Sequence, residues 1–182
     1  MFLDRDGTIA EEVGYLNHLE RFRMFPFAGE AIRRLNEAGV PVVVVTNQSG
    51  VARGYFPESL VQEVHERMKR ELARAGAHVD AIYYCPHPST TGCDCRKPKT
   101  GMLLRAESEL GVDLKQSYVV GDRHGDMELA FAVGAKAILV KSGYGLGELK
   151  WHAASWPLQP DYIAEDLSGA VSWILKLSLI HI

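Results

Sequence analysis

Two aspartates stand one residue apart near the start of the chain, Asp4 and Asp6 in "MFLDRDGTIAEE". Side chains two positions apart in an extended strand point to the same face, so both carboxylates would aim at one place. Two carboxylates that share a site repel each other, which raises the pKa of one of them unless a cation lies nearby. The spacing therefore predicts either a divalent metal with acid–base chemistry or a simple turn at Gly7.

A second group of possible ligands lies in "CPHPSTTGCDC" (residues 85–95), which contains all three cysteines of the chain. An odd number of closely spaced cysteines is not the pattern of a disulfide framework. Three sulfurs and one imidazole complete the tetrahedral shell of a structural Zn²⁺ site. The alternative is a disulfide between two of the three thiols, which leaves one thiol over. The predicted zinc ligands are Cys85, His87, Cys93 and Cys95.

Four apolar runs predict the strands that must position these residues. Near-continuous apolar runs rich in β-branched residues are typical of strands buried on both faces. The runs are "GVPVVVVTN" (39–47), "AIYYCP" (81–86), "SYVVGD" (117–122) and "AKAILVKSG" (135–143). Helical patterns alternate with them, at 28–39, 57–76, 100–111, 125–134 and 167–177. This alternation predicts a parallel sheet that is covered on both faces.

We therefore predict an α/β protein with one doubly wound, Rossmann-like parallel-sheet domain over residues 1–182 and a zinc loop at 85–95. In such sheets, ligands bind beyond the carboxyl ends of the strands. Asp4, Thr46–Asn47 and Asp122 all lie at predicted strand ends, so we expect them to meet in one crevice. The first strand, "MFL", is short, and from this we expect the natural chain to begin a few residues earlier.

Four segments resemble, in order, the motifs of the haloacid dehalogenase (HAD) superfamily of phosphatases: "DRDGT", "VVVTNQSG", "RKP" and "VVGDRHGD". The resemblance implies a HAD-type fold and a Mg²⁺-dependent phosphatase. Asp4 would be the nucleophile that forms an aspartyl-phosphate. Asp6 would protonate the leaving alcohol and then take a proton from the attacking water. Lys97 would balance the developing negative charge.

The same motifs suggest residues that bind the metal and the substrate. Mg²⁺ prefers oxygen ligands and usually takes one or two carboxylates together with phosphate oxygens. Asp4 and Asp122 can supply the carboxylates, and the resemblance adds the backbone carbonyl of Asp6. We expect Asp126 to hold Asp122, Lys97 or a metal-bound water. The residues predicted to bind the phosphoryl group or the rest of the substrate are Thr46, Asn47, Arg53, Arg96 and Arg123.

The position of the zinc loop suggests its purpose. Arg96 and Lys97 follow the last predicted ligand, Cys95, directly, so bound zinc would hold both side chains over the strand ends. We hypothesise that removal of zinc lowers activity by misplacing Lys97, without removing the chemistry. A zinc-free protein with full turnover and an unchanged melting point would contradict this hypothesis.

Within the superfamily, the chain resembles most the bacterial D-glycero-D-manno-heptose 1,7-bisphosphate 7-phosphatases, over nearly all of residues 2–140. The shared segments include "GYL", "TNQSGVARGYF", "IYYCPH" and "CDCRKP". The resemblance implies a small phosphorylated sugar substrate from heptose and lipopolysaccharide synthesis. Arginine forks suit a second phosphate, although Arg123 stands where we expect lysine.

The nearest alternative is a histidinol-phosphate phosphatase. That family shares the aspartates, the zinc ligands and "CDCRKP", whereas "TNQSGVARG" favours the heptose enzymes. Histidinol phosphate carries a cationic amine, which Glu11 and Glu12 could accept. We predict no cap domain, because residues 9–27 and 48–56 are too short for more than a flap and a loop.

Composition argues against several other classes. The formal net charge is −3, and no run of lysines and arginines could form a basic groove. We therefore expect no nucleic-acid partner, which disfavours a DNA 3′-phosphatase and a zinc-ribbon-like binding module. No signal peptide and no apolar run of about 20 residues is present, so we expect a cytoplasmic monomer without a membrane partner. We expect Trp151, Trp156 and Trp173 to pack in the core or at its edge.

Overall fold

Six strands form the sheet around which the chain is built. The computed structural model describes residues 1–180, with side chains described up to residue 177. The strands are β1 (Phe2–Leu3), β2 (Val43–Asn47), β3 (Ala81–Cys85), β4 (Tyr118–Gly121), β5 (Lys136–Val140) and β6 (Tyr162–Ala164). They lie in the order β3-β2-β1-β4-β5-β6, and every neighbouring pair is parallel. The predicted parallel α/β sheet is confirmed.

Helices cover both faces of this sheet. They are α1 (Ala28–Glu37), α2 (Glu58–Arg74), α3 (Gly101–Leu110), α4 (His124–Val133), α5 (Gly145–Trp151) and α6 (Leu167–Ile180). Helices α1, α2 and α6 pack on the face that holds Leu3 and Val44, whereas α3 and α4 pack on the face that holds Phe2 and Val45. Successive strand residues point to opposite faces, so the residues on both faces of the sheet must be apolar. This arrangement explains the uninterrupted apolar runs in the sequence.

Strands β2 and β6 depart furthest from the prediction. Strand β2 begins at Val43 rather than at residue 39. The preceding Gly39 has a φ of 70°, and Pro41 has no N–H to donate to a neighbouring strand. Strand β6 is absent from the prediction, because only three residues pair with β5 and only Ala164 among them is buried.

The three tryptophans have different surroundings. Trp156 is buried, and the ring of Trp173 stacks on Tyr162 with 4.6 Å between the ring centroids. For these two residues, the expectation of core or edge packing is confirmed. For Trp151 it is wrong, because 71% of that residue is exposed at the end of α5.

The connections at the carboxyl edge of the sheet are short. Between β1 and α1, the chain forms one 3₁₀ turn at Leu19–Arg21 and isolated bridges from Ala10 to Asp6 and Met24. Residues 48–57 form a loop between β2 and α2. Neither connection holds an inserted domain. The last two residues of the predicted domain, 181–182, lie outside the described residues.

Within residues 1–180, no helix has the length and apolar character to cross a membrane.

Candidate active site

Three aspartates converge at the carboxyl edge of the two central strands. Asp4 follows β1, Asp122 follows β4, and Asp126 lies in the first turn of α4. Each offers a carboxylate oxygen within 4.8 Å of the others, and all three residues are buried. We call these three residues the carboxylate cluster. Neighbouring parallel strands end at the same edge, which is why residues more than a hundred positions apart meet here.

The ammonium group of Lys97 lies between two of these carboxylates. Its Nζ donates to Asp4 Oδ1 at 2.8 Å, to Asp126 Oδ1 at 2.7 Å and to the carbonyl of Val45 at 2.9 Å. Burial alone would lower the pKa of Lys97, but Asp126 and Asp4 together raise it above its usual value. The lysine therefore carries a fixed positive charge inside the site, and Asp126 holds it as expected.

One lysine does not neutralise three buried carboxylates. Burial raises the pKa of Asp4 to about 7; Lys97 opposes this shift, and Asp126 and Asp6 add to it. Burial, followed by repulsion from Asp4 and Asp126, raises the pKa of Asp122 to about 8. A further cation at this point would stabilise the ionised forms.

The surroundings of Asp122 fit a metal ion. Its Oδ2 accepts the N–H of Tyr144 at 2.7 Å, whereas its Oδ1 is buried and has no hydrogen-bond partner within the described residues. A Cβ atom on either Gly7 or Gly143 would lie 2.1 Å from Oδ2, so two backbone segments approach this carboxylate closely. An unpaired carboxylate oxygen beside that of Asp4 is the donor chemistry that Mg²⁺ prefers.

Asp6 lies beside this cluster and has its own partners. Arg5 donates from Nε to Asp6 Oδ1 at 3.0 Å and from Nη2 to Oδ2 at 2.8 Å. Gln48 donates to Asp6 Oδ2 at 2.8 Å and also to the hydroxyl of Thr46 at 2.9 Å. The sequence interpretation missed Arg5 and Gln48. Strand alternation could not have found Arg5, because β1 ends at Leu3 and the Arg5 side chain turns back to Asp6.

Thr46 and Asn47, at the end of β2, have different contacts. Thr46 is buried and lines the cavity above Asp4. The side chain of Asn47 accepts the N–H of Lys97 at 3.1 Å and donates to its carbonyl at 3.2 Å. Asn47 therefore fixes the backbone that carries the lysine, while its side chain also lines the cavity.

An open cavity of about 400 Å³ lies over the carboxylate cluster. Arg96 and Arg123 line it, as do Glu12 and Tyr144. The guanidinium carbon of Arg123 lies 3.8 Å from the centroid of the Tyr144 ring, and its Nη2 lies 4.0 Å from Glu12. Arg53 is exposed in the 48–57 loop and is not among the residues that line the cavity, so the structure does not bring it to the other predicted residues.

The four predicted zinc ligands form a second cluster, which we call the cysteine cluster. Cys85 Sγ lies 3.0 Å from Cys95 Sγ and 3.6 Å from both Cys93 Sγ and His87 Nδ1. A disulfide needs a separation of about 2.05 Å, and all three thiols are free. Tetrahedral zinc with bonds of about 2.3 Å would place its sulfur ligands somewhat under 4 Å apart. The donors therefore fit a closed zinc site.

The thiols have contrasting acidities. Burial, together with the neighbouring thiols, raises the pKa of Cys85 to about 12. Burial also acts to raise the pKa of Cys93, but the backbone N–H of Arg96 and the adjacent thiols and imidazole outweigh it and lower the pKa to about 6. Arg96 also donates from Nη1 to the carbonyl of His87 at 3.1 Å. The loop is thus tied directly to a residue that lines the cavity.

Known proteins resemble this chain over most of its length. A HAD-hydrolase-like family model matches residues 94–170. The D-glycero-D-manno-heptose-1,7-bisphosphate 7-phosphatase of Thermosynechococcus vestitus is 43% identical, over 96% of this chain and 94% of that protein. The D-glycero-beta-D-manno-heptose-1,7-bisphosphate 7-phosphatase of Pseudomonas aeruginosa is 42% identical, over 97% of both chains. A crystal structure of the D,D-heptose 1,7-bisphosphate phosphatase of B. bronchiseptica, complexed with magnesium and phosphate, has a TM-score of 0.90 at 35% identity and covers 97% of this chain and 98% of that one.

Proposed function

Because the chain belongs to the D-glycero-D-manno-heptose-1,7-bisphosphate 7-phosphatase family of HAD-like hydrolases, we propose that it removes the 7-phosphate of that sugar. The protein is a phosphatase. We infer that the reaction depends on Mg²⁺ and passes through an aspartyl-phosphate on Asp4. The observation that carries this mechanism is the hydrogen bond from Lys97 to Asp4 on the floor of the cavity.

In the first step, Asp4 attacks the phosphorus atom. Lys97 holds Oδ1 of Asp4, so Oδ2 is the oxygen that forms the new bond to phosphorus. The bond from phosphorus to the sugar oxygen breaks, and Asp6 gives its proton to that leaving oxygen. In the second step, Asp6 takes a proton from a water molecule, which attacks phosphorus, releases Oδ2 of Asp4 and forms inorganic phosphate.

The residues around Asp4 manage the negative charge of both steps. Asp4, Asp122 and the backbone carbonyl of Asp6 would hold Mg²⁺, which supplies positive charge opposite the phosphoryl oxygens when it is bound. The ammonium group of Lys97 adds a second positive charge that burial leaves poorly screened by water. The hydroxyl of Thr46 lines the cavity and would donate to a phosphoryl oxygen.

The rim of the cavity would recognise the rest of the substrate. Arg96 and Arg123 line it, and a bisphosphate has a second anion that a guanidinium fork can bind at two oxygens. Arg53 is proposed as a further contact, through movement of the 48–57 loop. We infer that the cysteine cluster binds structural Zn²⁺ and fixes Arg96 and Lys97, and that residues 1–182 act as one phosphatase domain.

Histidinol phosphate is the second candidate substrate. Glu12 lines the cavity and is largely buried, and burial raises its pKa. A carboxylate in this position could accept the amine of histidinol. However, Glu12 already accepts the N–H of Gly14 and lies near Arg123, so we favour the bisphosphate.

The proposal is tested by comparing kcat/KM in the presence of Mg²⁺ for heptose 1,7-bisphosphate, histidinol phosphate and a 3′-phosphorylated oligonucleotide. We expect a preference of at least about tenfold for the heptose, which corresponds to about 1.4 kcal/mol in the transition state. The Asp4→Asn variant is the control and should lose activity on every substrate. A preference for histidinol phosphate would overturn the substrate assignment, and an active Asp4→Asn variant would overturn the nucleophile.

A further inference from the structure

Arg5 is an arginine buried behind the active site. Only 1% of its side chain is exposed, whereas its partner Asp6 lines the cavity. The guanidinium donates two parallel hydrogen bonds to the Asp6 carboxylate, which is the geometry that fixes a carboxylate in a plane. Burial of a charged side chain is costly, so the contact with Asp6 must offset that cost or serve the reaction.

His65, on α2, accepts a hydrogen bond from Nη1, the guanidinium nitrogen that does not contact Asp6. Arg5 Nη1 lies 3.2 Å from His65 Nε2, and both residues are buried. A guanidinium has N–H donors but no acceptor, so Nε2 must accept, and the proton of the neutral ring is on Nδ1. Burial, followed by the charge of Arg5, lowers the pKa of His65 to about 3. The His65 ring packs edge-on against the ring of Tyr84, with 5.6 Å between the ring centroids, and this contact limits its rotation.

The acid–base aspartate is therefore held from two sides. Arg5, backed by His65, approaches from the protein interior, and Gln48 donates from the cavity wall. Oδ2 of Asp6 accepts from both Arg5 and Gln48, whereas Oδ1 accepts from Arg5 alone, so Oδ1 is the freer oxygen for proton transfer. Proton transfer requires the acid within hydrogen-bond reach of the leaving oxygen, and a misplacement of about 1 Å can lower the rate by as much as a hundredfold.

We propose that Arg5 and His65 are positioning residues that orient the Asp6 carboxylate for proton transfer to the leaving group. This inference rests on the proposed function, in which Asp6 is the general acid. Neither residue is among those that line the cavity, so neither would touch the substrate. This role predicts that loss of His65 lowers kcat/KM for substrates whose leaving group needs a proton. For substrates whose leaving group departs as a stable anion, kcat/KM should change little.

The test compares an alkyl phosphate with an aryl phosphate in the Mg²⁺-loaded protein. Heptose 1,7-bisphosphate releases an alcohol that needs protonation, whereas 4-nitrophenyl phosphate releases a stable phenolate. The quantity measured is kcat/KM, which reports steps up to the first irreversible one and so excludes the later water attack. His65→Leu removes the acceptor for Arg5 Nη1 and keeps an apolar side chain in the same place.

We expect His65→Leu to lower kcat/KM for the heptose about tenfold or more, because a general acid contributes at least about a hundredfold, and to lower it less than about threefold for the nitrophenyl ester. His65→Gln, which restores an acceptor, should recover most of the loss. Arg5→Lys keeps the charge but not the fork and should resemble His65→Leu. Val64→Ala removes a buried methyl pair from the same helix and should affect both substrates equally and weakly.

Equal losses on both substrates in His65→Leu, or the same substrate pattern in Val64→Ala, would show a purely structural role and overturn the inference. If His65→Leu does not fold, the Arg5→Lys variant decides by the same ratio, and His65→Gln serves as its reference. A wild-type protein that rejects the heptose but cleaves another alkyl phosphate would refute only the substrate assignment, because the same ratio is then measured with that ester. A wild-type protein without phosphatase activity would overturn both.

Discussion

The carboxylate cluster and the cysteine cluster both gather polar groups around a point, but they are assembled differently. The carboxylate cluster collects residues from the ends of two separate strands and from a helix, and all three are buried. The cysteine cluster collects its four ligands from residues 85–95, and three of them are only partly buried. The first cluster thus needs the pairing of β1 with β4 and the docking of α4, whereas the second depends on the conformation of a single loop.

The two clusters are connected through Lys97. This lysine follows Cys95 by two residues, and its ammonium group is the positive charge within the carboxylate cluster. The loop of one cluster therefore delivers the cation of the other. We propose a division of labour, in which the carboxylate cluster performs the chemistry and the cysteine cluster positions Lys97 beside it.

We expect the largest effect on kcat and stability from Lys97→Met, which removes the residue that connects the two clusters. Methionine has a similar length but no charge, so Asp4 and Asp126 lose their buried partner. We expect kcat to fall by about a hundredfold to a thousandfold and the free energy of unfolding to fall by about 3 kcal/mol. Steady-state kinetics and urea unfolding measure the two quantities. Lys115→Met, at an exposed position outside both clusters, is the control and should stay within about twofold of the wild type.

Removal of metal from the cysteine cluster should have a smaller effect. We expect a zinc-selective chelator, with Mg²⁺ in excess, to lower kcat about tenfold, because positioning contacts around a site contribute about that much. The melting temperature should fall as well, and added Zn²⁺ should restore both. Metal content and kcat are measured on the same samples. Full turnover in protein shown to be free of zinc would break the proposed link between the clusters.

Asn47→Ala tests the second attachment of Lys97. This change removes two hydrogen bonds to the backbone of Lys97 and should lower the free energy of unfolding by about 1–2 kcal/mol and kcat severalfold. Asn36→Ala is a matched control, because Asn36 forms the same pair of hydrogen bonds with the backbone of His78. We expect a similar loss of stability there, without a loss of kcat. Equal kcat values for the two variants would contradict the role of Asn47.

The smallest effect is the most informative about the link. If the cysteine cluster acts through Lys97, chelation of zinc in the Lys97→Met variant should lower kcat by less than about twofold. The effects of two changes on the free energy are non-additive when the sites interact, whereas they add when the sites are independent. A further tenfold loss in that background would show that the cysteine cluster acts on the site by another route, such as Arg96.

Much of the fold follows from local sequence patterns. Several successive residues around Val44, Val120 and Ile138 are apolar, which is typical of strands covered on both faces. Strand β6 lacks that signal, because it is short and edges the sheet beside Asp161 and Glu165. Its existence depends on pairing with β5, which no local pattern can encode. The exposure of Trp151 is likewise decided by where α5 lies on the sheet.

Part of the site could also be predicted from the sequence. Asp4, Asp122 and Lys97 converge because the carboxyl ends of parallel strands lie together. Arg5 was missed because a buried arginine is rare, and its partner His65 lies sixty residues away. A signal for His65 was present: it falls on the apolar stripe of α2 with Val61, Met68 and Leu72. The hydrogen bonds of Gln48 and Asn47 depend on side-chain orientation, which spacing does not specify.

The strand order has a consequence for how the protein reaches its active form. Among the six described strands, β1 comes first along the chain, yet it lies in the middle of the sheet and pairs with β2 and with β4. Asp4 can therefore contact Lys97 and Asp122 only after these much later residues have been synthesised. Contacts of such long sequence separation form slowly, because loop closure must precede them. Phosphatase activity thus requires the pairing of β1 with β4, and its appearance over time reports that step of folding.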